Sequence, residues 1–461
     1  MDRFRTSRRR FLAGSLAGAG LCALETSVDL GLVAKAGAAD AGDYRALVCV
    51  LFAGGIDSFN VLVPTDDAGW NEYAAVRADL ALPRNALLPL AGTHQGGRTF
   101  GIHPSLPELG ALFDAGELAF LANVGPLVAP ATPAELAAGT VRKPLGLYSH
   151  ADQIDQWQTA LADVRSTTGV AGRMADLLGD VNPGSPVAMN VSVSGANRFQ
   201  AGRETSEYSI DPGADGAPVA AGYGPDVPGG EIVTPAIDGL LAVDRRSLLR
   251  AFYGTRLRQA LDAGVAFNAA LAASPTPATV FPEDPFGQAL GLVAKVIASR
   301  EALGARRQTF FVNYGGWDHH DEVLGNMERM LPAVDAGLAR FRDAMVELGL
   351  HDRVTTFTIS DFGRTLTSNG RGSDHGWGGN MLALGGAVDG GRIKGDFPAL
   401  AAGAPLDTGR GRFVPTTSTD ALYAELALWF GIPASELDLV VPNVGAFWSP
   451  VSGGRPLGLL R

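Results

Sequence analysis

"RALVCVLFAGGIDSFN", Arg45 to Asn60, begins with eight residues that are apolar apart from the first, turns at Gly54-Gly55 and then presents Asp57. A strand with one wet face would alternate polar and apolar side chains; this one does not, so both of its faces are covered. Four later stretches read the same way: "GELAFLANVG" (Gly116 to Gly125), "SPVAMNVSVSG" (Ser185 to Gly195), "QTFFVNYGGWD" (Gln308 to Asp318) and "RVTTFTISDFG" (Arg353 to Gly363). Helical patterns fall between them, a short one in "PSLPELGALFDAG", a longer one from Phe286 to Gly304, and the clearest from about Leu331 to Leu348. In that last stretch Leu331, Val334, Leu338, Phe341, Met345 and Leu348 recur at spacings of three and four, Gly349 is the stop, and Pro332 falls in the first turn. Strands apolar almost throughout that alternate with helices indicate an α/β class, with a mostly parallel central sheet and helices on both faces. Ligands of such sheets gather beyond the carboxyl ends of the strands. Here those ends carry Asp57, Asp318 and Asp361.

The rest of the chain sets limits. Of its 461 residues 46% are hydrophobic, enough for a large core, and 60 glycines imply many turns and close backbone approaches. Residues 1–38 read as a removable segment. "TSRRRFLAGSLAGAGLCAL" has a basic start and an apolar run too short to span a bilayer, and Ala36-Gly37-Ala38 fits a small-x-small cleavage site. The order S-R-R-x-F-L resembles the twin-arginine signal, which implies export of a folded chain by the twin-arginine translocase and a periplasmic or extracellular location. Leu21 is too large for lipoprotein processing at Cys22, and no later run is long and apolar enough to span a membrane. Removal of residues 1–38 takes away six basic and three acidic groups and moves the net charge from −11 to −14. So acidic a chain argues against nucleic acid and anionic membranes as partners. Cys49 alone then remains, so no intramolecular disulfide is available, and its apolar surroundings make it a buried thiol. Residues 45–461 read as one domain without internal repeats. A stretch rich in glycine and proline at about residues 200–239 lacks any period and reads as a surface insertion.

Chemistry is densest in "YGGWDHHDE", Tyr314 to Glu322, which holds two of only seven histidines. Two residues apart in an extended segment, Asp318 and His320 point to the same side and His319 to the other. A carboxylate and an imidazole on one side make half a site for zinc or a similar divalent ion; the plainer alternative is a hydrogen-bonded loop. Asp57, Asp361 in "SDFGRT" and the pair Asp374-His375 in "GSDHGWGG" offer further ligands. Each is also the residue type that caps helices or fixes turns.

"GGIDSFNVLVP", "FGIHPSLPEL", "YSHADQIDQWQTA", "GGWDHH", "SDFGRT" and "SDHGWGG", in this order, resemble the domain-of-unknown-function 1501 family, which is grouped with alkaline phosphatases and sulfatases. The resemblance runs from about Ala46 to the C-terminus. It implies an alkaline-phosphatase-like architecture with up to two metals at the ends of parallel strands. Asp318, His320 and His375 match one ligand set, with zinc as the expected ion. Asp57 and Asp361 match the other, but Phe362 stands where a histidine is expected, with His103, His150 or Asp374 as substitutes. One tightly held metal and a weak or absent second follow. Ser149, before "HADQIDQWQT", is the candidate nucleophile and equally a candidate helix N-cap; Ser58 is the second choice. Arg364 is either an anion clamp or a structural ion-pair partner. No C-x-P-x-R run occurs, which disfavours a formylglycine sulfatase. The resemblance therefore implies metal-dependent hydrolysis of a phosphate or sulfate ester, of a small molecule or a polymer. The rival expectation is a non-catalytic secreted protein that keeps the fold for binding or assembly with a protein partner.

Overall fold

Strand β1 (Arg45–Phe52) divides its side chains between two separate cores. Ala46, Val48, Val50 and Phe52 face one, and Leu47, Cys49 and Leu51 face the other. The first core takes in helices on one side of the sheet, and the second takes in helices on the opposite side, which is why β1 tolerates no polar alternation. The computed structural model describes residues 44–461 apart from residues 214, 215, 218, 226, 244–246 and 453. The export segment read at residues 1–38 lies outside the described residues.

The main sheet continues with β2 (Leu118–Gly125), β3 (Asn190–Ser192), β4 (Tyr208–Ser209), β5 (Arg307–Asn313), β6 (Val354–Ser360), β7 (Gly379–Leu384), β8 (Arg392–Lys394) and β9 (Thr417–Ser418). Their order is β8-β2-β7-β6-β1-β5-β3-β4, with β9 also paired to β2. β6, β1, β5, β3 and β4 form a continuous parallel block. Only β7 runs against its neighbours, β6 and β2. The chain is thus an α/β protein with a mostly parallel sheet, as its apolar strands require.

The helices that matter below are α1 (Pro107–Asp114), α2 (His150–Thr159), α3 (Gly230–Leu241), α4 (Leu248–Ala273), α5 (Pro285–Ala298), α6 (Val323–Glu347) and α7 (Thr419–Phe430). The first core packs against α1, α5 and α6, and the second against α7 and Trp157 of α2. Asp284 caps α5 by accepting from the Phe286 and Gly287 N–H groups, and Pro285 takes the first helical position, where no N–H is needed. α6 begins two turns before the sequence suggests, so Pro332 lies inside it and not in its first turn. Val323, Met327 and Leu331 extend the same apolar stripe into the core. Burial of these three outweighs the roughly 3 kcal/mol that an interior proline costs. The glycine-rich stretch also differs from its expected irregularity. Tyr208–Ser209 adds β4 to the sheet edge, and α3 starts at Gly230 despite Pro235 within it.

A candidate metal centre at the carboxyl edge of the sheet

Three adjacent parallel strands deliver the acidic residues. β5 runs into Tyr314–His320, β1 into Gly54–Asp57, and β6 into Asp361. Gly54 has φ +118°, and a Cβ there would lie 2.4 Å from the Asp318 backbone nitrogen, so only glycine lets the two loops touch. Its N–H donates to Asp361 Oδ1 at 2.9 Å. A short antiparallel ribbon, Arg364–Ser368 with Ser373–His375, folds Asp374 and His375 over the same edge, and the start of α2 brings His150 from the far side.

Three imidazoles meet around one carboxylate. His320 Nε2 lies 3.1 Å and His375 Nε2 3.3 Å from Asp318 Oδ1, while His150 Nε2 lies 3.4 Å from Asp318 Oδ2. The His320 and His375 Nε2 atoms are 2.8 Å apart. Each ring is held from behind through its other nitrogen. His150 Nδ1 donates to Asp361 Oδ2 at 2.5 Å, His320 Nδ1 to Asp374 Oδ1 at 3.1 Å, and His375 Nδ1 to the Tyr148 carbonyl at 2.8 Å. Since all three acceptors are oxygens, Nδ1 carries a proton in each ring, and each Nε2 facing Asp318 is a lone pair when its ring is neutral and an N–H when it is charged. Phe362 is fully buried and forms a wall under the rings of His150 and His375, with centroids 4.9 and 4.5 Å away.

The charges around this cluster are tuned by its neighbours. Partial burial pushes the Asp318 carboxyl up, but Arg364, His320 and His150 outweigh it and hold it below the usual carboxylate range. Burial also opposes ionisation of Asp374, yet hydrogen bonds from Asn369, Arg410 and His320 bring it down to about 2. Burial lowers His375, which favours its neutral, ligating form. Asp361 is raised by burial against the pull of His150 and the Gly54 N–H.

Asp318, His320, Asp361, Asp374, His375 and His150 therefore share one network. Asp57 does not join it. Its carboxylate is buried and paired with buried Arg77, and Oδ1 has no partner among the described residues. His103 is also buried and apart from the cluster; its Nδ1 accepts from the Ser105 N–H, its Nε2 has no partner, and burial pushes it down to about 4. Ser58 is buried, and its Oγ accepts from the Asn380 N–H, so it faces no solvent. Of the two readings of Arg364, the geometry matches the structural ion-pair partner. Its side chain is fully buried, and its donors go to the carbonyls of Gly54, Gly55 and Ser373 and to Asp318 Oδ1. The cations that do reach solvent here are Arg410, paired with Asp374 at 2.6 Å, and half-buried Arg412, which donates to the His375 carbonyl. Sequence reasoning did not single out either one, and it held His150 only as a substitute. The signal for His150 was its place at a helix start, directly after the serine already under suspicion.

Ser149 is the N-cap of α2 without a side-chain capping bond; its hydroxyl bonds the Asp152 carboxylate instead. It stands between Tyr148, whose carbonyl holds His375, and His150 itself. Tyr148 has φ +73°, a left-handed conformation uncommon for a bulky residue, and this bend aims its carbonyl at the cluster.

Fold and site together define an α/β protein whose described residues include a His–Asp–His group, His150, Asp318 and His375, close enough to share a metal ion. The family described as "Protein of unknown function (DUF1501)" matches residues 254–410, which span Asp318, His320, Asp361, Asp374 and His375 but not Asp57 or His150. No curated protein matches the chain. Among solved structures it is similar to Ps i-CgsB, with 13% identity and a TM-score of 0.33 over 88% of this chain and 77% of that one. It is similar to the C-terminal periplasmic domain of EcEptC from Escherichia coli in complex with Zn, with 10% identity and a TM-score of 0.34 over 88% of each chain. It is also similar to the PsFucS1 sulfatase from Pseudoalteromonas sp., with 10% identity and a TM-score of 0.34 over 89% of this chain and 72% of that one.

Proposed function

We propose that this protein is an exported hydrolase of phosphate or sulfate esters that holds one divalent metal, zinc, between His150, His320, His375 and Asp318. One observation carries the reading. The Nε2 atoms of His320 and His375 approach to 2.8 Å beside an ionised carboxylate, and an oxygen backs the Nδ1 of each ring. Two facing lone pairs repel unless a positive charge stands between them, either a proton or a metal ion. The donor set fits a metal: neutral imidazoles with one carboxylate suit zinc, whose bonds of about 2.0–2.1 Å put neighbouring ligands roughly 3.3 Å apart. Oxygens that hold the far nitrogen of each ring are the expected backing of ligating histidines.

When bound, the metal would supply Lewis-acid polarisation of an ester oxygen. The chain's own residues would do the rest. Asp361, Asp374 and the Tyr148 carbonyl fix the imidazole orientations. Ser149, free of capping duty at the start of α2, is the assigned nucleophile. Arg410 and Arg412 take the anion-binding role that buried Arg364 cannot fill. Phe362 closes the floor beneath the rings, and Asp57 and Asp361 are each committed to a partner, so a second resident metal is not proposed. Export rests on the S-R-R-x-F-L run, and Arg8→Lys with Arg9→Lys should block it.

The test is elemental analysis of the purified mature protein, followed by turnover of nitrophenyl phosphate and nitrophenyl sulfate before and after chelation. About one metal per chain, with turnover lost on chelation and restored by zinc, supports the reading. A metal-free chain that turns over neither ester after zinc is added would overturn it in favour of a binding or assembly protein.

A further inference from the structure

The chain's acidity hides a local exception. α4 has 26 residues, roughly 39 Å of helix. Its second half is anchored: Leu261, Phe267 and Leu271 are buried, Phe267 packs on the Tyr208 ring with centroids 5.3 Å apart, and Asn268 donates to the Ala217 carbonyl. Its first two turns have no such anchor. Leu248 is 90% exposed, Leu249 78% and Tyr253 65%, and Phe252 lies among them. Across the connection, Leu240 and Val243 at the end of α3 are exposed as well. A protein that gained nothing from this end of the helix pair would not place six large apolar side chains in water there.

Charge says what covers them. Among the described residues from 247 to 258 there are three arginines, Arg250, Arg256 and Arg258, and no acid, within a chain of net charge −11. Arg258 is satisfied by Asp238 and Asp262. Arg250 and Arg256 have no ion-pair partner among the described residues, and Arg256 lies over the Phe252 ring at 5.2 Å. A cleft of about 390 Å³ opens between the two helices, with Leu241 and Val243 on one wall and Arg250 and Arg258 on the other. We infer that the first turns of α4 dock on an anionic lipid surface, with Leu248, Leu249, Phe252 and Tyr253 entering the headgroup–acyl boundary and Arg250 and Arg256 meeting the phosphates. Apolar and aromatic side chains flanked by arginine are what such an interface selects. A second copy of the chain would cover the apolar side chains too, but it offers Arg250 and Arg256 no surplus of negative charge, which an anionic lipid surface supplies. No helix among the described residues is long and apolar enough to cross a membrane, so the contact is with the surface.

Flotation of the mature protein with phospholipid vesicles tests this. Binding is expected to vesicles in which about a third of the lipid is phosphatidylglycerol, and not to pure phosphatidylcholine; roughly 0.5 M salt should weaken it. Leu248→Ser with Leu249→Ser and Phe252→Ser should lower the bound fraction at least about tenfold, as should Arg250→Glu with Arg256→Glu. These side chains make no buried contacts, so unchanged melting temperatures are expected. As a second readout, Leu249→Trp should shift its emission to the blue when anionic vesicles are added. Wild-type protein that stays unbound, a serine variant that floats equally well, or a dimer that the serine variant dissolves would each overturn the proposal.

Discussion

His319 and His320 leave the same strand end and go opposite ways. His320 turns outward to Asp318, His375 and Asp374, while His319 turns inward and is buried, and burial pushes it below the usual histidine range. The regions they belong to are built from the same residue types. On the outer side, His150, His320 and His375 surround Asp318, and every Nδ1 has an oxygen to hold it. On the inner side, His103 and His319 lie near Asp57, but that carboxylate is spent on Arg77. An imidazole becomes a ligand when something else secures its proton. Without that, burial alone makes it a neutral core group.

The sharpest way to break this contrast is His375→Ala, which removes an inward-facing lone pair from the outer group. Metal load measured by elemental analysis should fall close to zero; an unchanged load would erase the distinction between the two groups. Asp57→Asn attacks the other side by leaving Arg77 buried and unpaired. Chemical denaturation should show a loss of about 3–5 kcal/mol, while the folded fraction keeps its metal.

The pH response sharpens the inner group further. His103 has a folded pKa of about 4 against an ordinary value of 6.5. Between those values the unfolded chain binds a proton that the folded chain refuses, so stability falls as pH drops from 6.5 towards 4 and is unaffected above 6.5. The loss is up to about 3 kcal/mol. His103→Gln should remove that part of the slope in melts recorded across the window, and a wild-type slope in the variant would show that His103 is not the group involved. The smallest effect is expected from Asp361→Asn. An amide can still accept from His150 but carries no charge, so zinc affinity should weaken about ten- to a hundredfold, or about 1.4–2.7 kcal/mol. A competition titration with a zinc indicator would measure it.

The sheet was legible because β1 is apolar on both faces and β2, β5 and β6 are apolar for much of their length, and strands covered on both sides belong mainly to parallel α/β sheets. The pairing of Asp318 with His320, and His319 as the odd one out, followed from the two-residue period of extended chain. His150 was legible only as one substitute among three, because its nearness to Asp318 depends on how α2 lies across the sheet, and no local period records that. Arg364 was open to two readings for a related reason: an arginine after a strand end fits a clamp or a structural ion pair until its donors are traced to Asp318 and to the carbonyls of Gly54, Gly55 and Ser373. The early start of α6 and the formation of α3 show tertiary burial overriding proline, which a residue-by-residue reading gives too much weight.

β1 sits in the middle of the parallel block, with Arg45 opposite Arg307 and Ala46 opposite Val354. The first strand to be synthesised must therefore wait for partners that emerge after most of the chain has been made. Until then both of its edges are open, and a run as apolar as "ALVCVLF" with open edges is prone to pair with other chains. Closing loops of this length adds only slowly to the entropic cost, so the delay threatens yield more than final stability. The proposed zinc donors straddle the same interval, with His150 before it ends and Asp318, His320 and His375 after. Metal uptake would then report that the last-made strands have found the first.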